Sequence, residues 1–150
     1  MRISGNPEQI SFAFRRMANT LEGYVREAEK ASGQYALEEA RRLSMGTYSS
    51  AMLRALGFPY SRRRPRPPQD PAIINMQSGQ FLFGWRLRAP RVDGGVMRTR
   101  LVNVAPHAKF LPHGTRKMIA RPFEKRIRER VETRRLRLMR AALRSWGQGT

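Results

Sequence analysis

The two histidines, His107 and His113, are the first residues to weigh for chemistry. They stand six positions apart in a loop-rich stretch, with no cysteine in the chain and no carboxylate near them in sequence. A zinc-type site needs three or four converging ligands, so this pair is a poor start for one. Nucleophilic catalysis needs a serine or cysteine held against an oriented base, and no such set is legible. Gly79, Gly94, Gly95 and Gly114 punctuate turns, and none belongs to a glycine-rich phosphate loop opening a helix. The sequence predicts no catalytic residues, no metal and no cofactor, and so a protein that is not an enzyme.

What the chain does carry is positive charge. Thirty Lys plus Arg face eleven Asp plus Glu, for a formal net charge of +19. Such an excess repels itself and is usually tolerated beside a polyanion or an acidic partner. Lysine occurs only at Lys30, Lys109, Lys117 and Lys125. The rest is arginine, whose planar fork grips phosphates and carboxylates. One cluster, Arg62, Arg63, Arg64 and Arg66, lies in a stretch with four prolines among residues 61–71. Proline blocks helix and sheet and the charges repel, so an extended arm is expected at about 60–71. A second cluster includes Arg134, Arg135 and Arg137. Each cluster admits three readings: contact with DNA phosphates, contact with an acidic neighbouring subunit, or a solvated surface. On a helix the last would include pairs such as Glu132 with Arg135. No helix-turn-helix or zinc-finger pattern supports a sequence-specific DNA reader.

The elements that must position these residues follow from periodicity. A chain of 150 residues suits one domain spanning 1–150. No apolar run is long enough to cross a membrane, the N-terminus has no signal-peptide core, and the lack of cysteine suits a reducing cytoplasm. Asn6-Pro7-Glu8 reads as a helix start. Ile10, Phe14, Met17, Leu21, Tyr24, Ala28, Ala31 and Tyr35 then recur at helical spacing. Gly33 is expected to bend or interrupt this helix, Leu37, Ala40 and Leu43 to continue it, and Gly46 to end it. A short helix is expected over about 49–56. Phe81, Phe83 and Trp85 alternate with other residues, which predicts a strand with one aromatic face. Residues 96–104 alternate again after the turn signal Asp93-Gly94-Gly95, so the pair predicts an antiparallel hairpin with a longer loop. From Arg121-Pro122-Phe123 a final helix is expected, with Phe123, Ile127, Val131, Leu138, Ala142 and Trp146 near one face. Pro122 should occupy its first turn, and Phe81, Phe83, Trp85 and Phe123 should form core. Helices gathered around an antiparallel sheet make an α+β domain.

The order of short motifs in the second half resembles a known pattern. Ser78-Gly79-Gln80-Phe81 precedes the hairpin; Ala105-Pro106-His107-Ala108, His113-Gly114-Thr115 and Ala120-Arg121-Pro122-Phe123 follow it. This resembles the neck and tail-completion family of long-tailed bacteriophages, which includes the minor tail protein Z of lambda-like phages. His107 stands where the family commonly has Tyr, and His113 near a common Glu. The resemblance implies that Ser78, Gly79, His107, Ala108, Gly114, Thr115, Arg121, Pro122 and Phe123 are family positions. It further implies a virion protein, assembled in the host cytoplasm, that forms a homo-oligomeric ring at the head–tail junction or upper tail. Its partners would be other neck, connector or tail proteins, with non-specific contact to genomic DNA in the channel and none to a membrane. The alternative from composition alone is a free basic nucleic-acid-binding protein, a packaging or chaperone-like factor. A phage hydrolase has no acid–base pair to support it.

Overall fold

A computed structural model describes residues 6–46, 50–55, 72–74, 79–116 and 120–148. In chain order it contains α1 (Pro7–Ser44), α2 (Ser50–Ala55), α3 (Gln80–Phe83), β1 (Trp85–Asp93), β2 (Val96–Asn103), a 3-10 turn (Ala108–Phe110) and α4 (Phe123–Gln148). The class is α+β. The long helices α1 and α4 pack on each other, and the two-stranded antiparallel sheet lies against α1. The expected arm at 60–71 lies outside the described residues.

Helix α1 starts where the Asn6 side chain accepts the backbone N–H of Glu8 at 3.3 Å, with Pro7 in the first turn. It stops just before Gly46, which takes a φ of +56°. Gly33 does not interrupt it. A Cβ at Gly33 would lie 2.6 Å from Thr99 Cγ2 and 3.0 Å from Leu87 Cδ1. The glycine is there because the hairpin crosses the helix backbone at that point.

The hairpin departs from expectation in two places. Its connection is the tight pair Gly94-Gly95, at φ +57° and +76°, not a longer loop. Positive φ at both central residues is what a type I′ turn requires, and its twist matches that of the strands. The first strand also begins later than expected, at Trp85. Gly79, at φ +76°, opens a single helical turn instead, closed by the Phe83 N–H on the Gly79 carbonyl at 2.9 Å. Phe81 within this turn and Trp85 just beyond it are both buried. Phe83 is 72% exposed and is not core.

The core gathers Ala40 and Leu43 of α1, Ile74, Phe81, Trp85, Ala105, Leu111, and Phe123 and Ile127 of α4. Its one bulky polar group is satisfied: Trp85 Nε1 donates to Ser44 Oγ at 2.9 Å, and Ser44 Oγ donates to the Ala40 carbonyl at 2.6 Å.

Candidate interaction surfaces

Of the motif positions singled out from the sequence, His107 and Phe123 meet one aromatic cluster. Phe81 meets Trp85 edge-on at 5.4 Å and Phe123 edge-on at 5.4 Å, while Trp85 and Phe123 meet at 5.9 Å. The His107 ring lies 5.8 Å from Phe81. Ala108 opens the 3-10 turn and packs against the core. Gly114, at φ +71°, donates its N–H to the Phe110 carbonyl at 2.8 Å, and the neighbouring Thr115 is half-buried. Arg121 is buried; its backbone N–H reaches the Leu111 carbonyl at 2.8 Å and its guanidinium the Ile73 carbonyl at 3.4 Å. Pro122 stands one residue before α4, and its carbonyl accepts the Arg126 N–H. That is the N-cap position rather than the first turn, and there too a missing N–H leaves nothing unsatisfied. Phe123 is 3% exposed. These residues tie α3, the hairpin, the following loop and α4 into one unit. Ser78 lies outside the described residues, as do Arg62, Arg63, Arg64 and Arg66.

The arginines of α4 divide. Arg135 Nε lies 2.7 Å from Glu29 Oε1, a carboxylate that α1 buries to 5% exposure. Arg134 stacks its guanidinium 4.5 Å from the Tyr35 ring centre. Both thus join α4 to α1. Arg137 is exposed. Arg130 and Arg42 share Glu39, each at 3.0 Å from Oε2. Burial pushes the Glu39 carboxyl up, but the hydrogen bonds and charges of Arg42 and Arg130 outweigh it and hold it below its ordinary value. Two buried glutamates on the inner face of α1 were not legible as such, because both sit amid an apolar stripe that spacing alone describes. Among the described residues no three of His, Asp and Glu come together as a metal site would need. No described helix is long and apolar enough to cross a membrane.

A further charged surface, not expected from spacing, is the outer face of the hairpin. Leu87, Thr99 and Leu101 face α1 and are half-buried. Arg86 and Arg88 therefore point away from it, opposite Val102 and Arg100. Simple alternation would turn Arg91 inward with Leu87. Between Arg88 and Arg91, at Ala89-Pro90, the register slips by one residue. Such a bulge re-aims everything beyond it, and proline is tolerated there. Arg91 thus lies opposite Arg98 on the outer face. Arg86, Arg88, Arg91, Arg98 and Arg100 are all exposed. Asp93 is the one acid in the hairpin, 3.5 Å from Arg98 and 3.7 Å from Arg100. The Arg-x-Arg repeats at 86–88 and 98–100 could have pointed to this face; the bulge that adds Arg91 could not be read from spacing.

A second open surface is the beginning of α1. Phe12 is 68% exposed, Phe14 57%, Met17 39% and Tyr24 37%. The predicted stripe is present there, but nothing described in the chain covers it. Further along, the buried positions are Ala28, Glu29, Ser32, Gly33, Glu39, Ala40, Leu43 and Ser44; Ala31, assigned to the stripe by its spacing, is exposed.

The chain matches no protein-family model, no curated protein and no solved structure, so its function must be argued from its own residues and geometry.

Proposed function

We propose that this chain is a structural subunit of a tailed-phage virion, assembling into a homomeric ring at the head–tail junction or upper tail, and that it is not an enzyme. The ring joins or completes the tail and surrounds the path of the DNA, in contact with other neck, connector or tail proteins. The observation that supports assembly most directly is the open first half of α1. Phe14, Met17 and Tyr24, at helical spacing on one side, leave large apolar groups in water at the end of a helix whose other half is well packed. An exposed apolar surface of this kind marks an interaction site. The order of the short motifs, which resembles that of the neck and tail-completion family, supports the setting.

The test is the oligomeric state of the purified full chain by light scattering and electron microscopy, with a mass-spectrometric inventory of purified particles. Closed rings are expected, together with the chain's presence in virions. Phe14→Ser with Met17→Ser should shift the protein to monomers without unfolding it. A chain that stays monomeric at high concentration and is absent from virions would sink this reading.

A further inference from the structure

We propose that the outer face of the β1–β2 hairpin binds the phosphodiester backbone of nucleic acid, through Arg88, Arg91, Arg98 and Arg100 with Arg86 at its base. The inference goes beyond the ring reading and does not need it. Arg88 stands directly opposite Arg100, and Arg91 directly opposite Arg98. Like charges in these cross-strand positions destabilise a hairpin on its own. Five arginines less one aspartate leave this face with four uncompensated positive charges. The Asp93 pairs do little to relieve that: the side chains of Arg98, Arg100 and Asp93 are 58%, 72% and 57% exposed. Among the described residues, Arg88 and Arg91 have no carboxylate within ion-pair reach.

The pattern fits a repeating anion better than a protein surface. Outward residues two apart on a strand are ~7 Å apart, and the two rows are ~5 Å apart, so the charges form a narrow double row. Such a ribbon can follow a backbone or enter a major groove about 12 Å wide. Arginine also occurs at the centre of protein interfaces, but there beside aromatic anchors and with charge otherwise depleted. Here Val96 and Val102 flank the face while its middle is arginine. Arg86 is fixed at one end by donating from Nη1 to the Phe83 carbonyl at 2.6 Å and the Trp85 carbonyl at 3.0 Å. Contacts of this type hold the phosphate backbone and carry no base specificity.

Fluorescence anisotropy with a short labelled duplex of random sequence, over a salt series, tests the proposal on the full chain. Each phosphate neutralised contributes about 0.9 to the slope of log K against log salt. The variant R88T/R91T/R98T/R100T should bind more weakly, with a slope shallower by about 3 to 4. Threonine keeps strand propensity, and a melting curve checks that the fold is retained. The charge-matched control R128T/R137T/R140T/R144T, on exposed positions of α4, should lose clearly less slope. Equal losses in the two variants would reduce the effect to net charge and overturn the hairpin site. An unchanged slope in the hairpin variant would overturn it too. If polyglutamate displaces the duplex at equal charge concentration, the face is a general carboxylate acceptor suited to an acidic protein, and the nucleic-acid assignment falls.

Discussion

The two halves of α1 belong to one uninterrupted helix and differ in what surrounds them. Its second half meets the hairpin at Gly33, the ion-pairing arginines of α4 at Glu29 and Glu39, and the core at Ala40 and Leu43. Its first half carries larger apolar side chains, among them Phe12, Phe14 and Met17, and leaves them open. The buried half thus has the smaller residues, because two elements approach its backbone closely. The open half has the larger ones, which would fill the space between separate bodies. A hydrophobic stripe therefore does not by itself show that the same chain covers it.

Matched substitutions in the two halves test this contrast. The largest expected effect comes from the core beneath the second half. Phe123→Ala should destabilise by ~3–5 kcal/mol, through lost burial and the cavity left among Phe81 and Trp85. Phe14→Ala, in the open half, should change the stability of the isolated chain by less than about 0.5 kcal/mol. Denaturant midpoints of both variants at a low protein concentration check this. Equal losses would mean that the first half is packed in solution after all.

The two glycines of α1 give a finer comparison. A Cβ at Gly23 meets nothing within 4 Å, whereas one at Gly33 meets Thr99 at 2.6 Å. Gly23→Ala should stabilise by up to ~1 kcal/mol through helix propensity. Gly33→Ala gains the same propensity but must push the hairpin away, so a net loss of about 1–2 kcal/mol is expected. Thermal melting of the two variants should move in opposite directions.

The smallest effect concerns charge. Glu22 pairs with Arg26 at 2.6 Å in the open half, with both side chains about half exposed. Glu39 is held between Arg42 and Arg130 in the packed half. Its folded-state pKa lies below the ordinary value of 4.5. The stabilisation it contributes is therefore full above about pH 4.5 and is lost as pH falls through the lower folded value. Glu39→Gln should cost about 1 kcal/mol at neutral pH, with the gap to the parent closing in acid. Glu22→Gln should cost less than about 0.5 kcal/mol. Urea midpoints measured at several pH values separate the two.

Much of the fold was legible because it depends on local rules. The Asn6-Pro7 start, the stop at Gly46, the Gly94-Gly95 turn and the start of α4 after Pro122 are all set by backbone chemistry within a few residues. So was the alternation of residues 96–104 that made β2 a strand. The misreadings share a different cause. Phe81, Phe83 and Trp85 satisfy a strand period, but the turn at Gly79 coils the first two into a helical turn and leaves Phe83 outside the cluster that Phe81 and Trp85 form with Phe123. Gly33 looked like a helix breaker because the hairpin it accommodates lies more than fifty residues further along the chain. For Arg135 spacing offered only Glu132 on its own helix, 4.0 Å away; Tyr35 and Glu29, which Arg134 and Arg135 meet, lie on another helix. What the sequence by itself determined was the set of elements, their caps and turns, and an arginine excess that asks for an anionic neighbour. The tertiary structure alone decided which charges are neutralised inside and which are displayed. Burial and ion pairing are set by residues distant in sequence, and a one-residue bulge at Ala89-Pro90 is enough to turn Arg91 onto the face where four other arginines already lie.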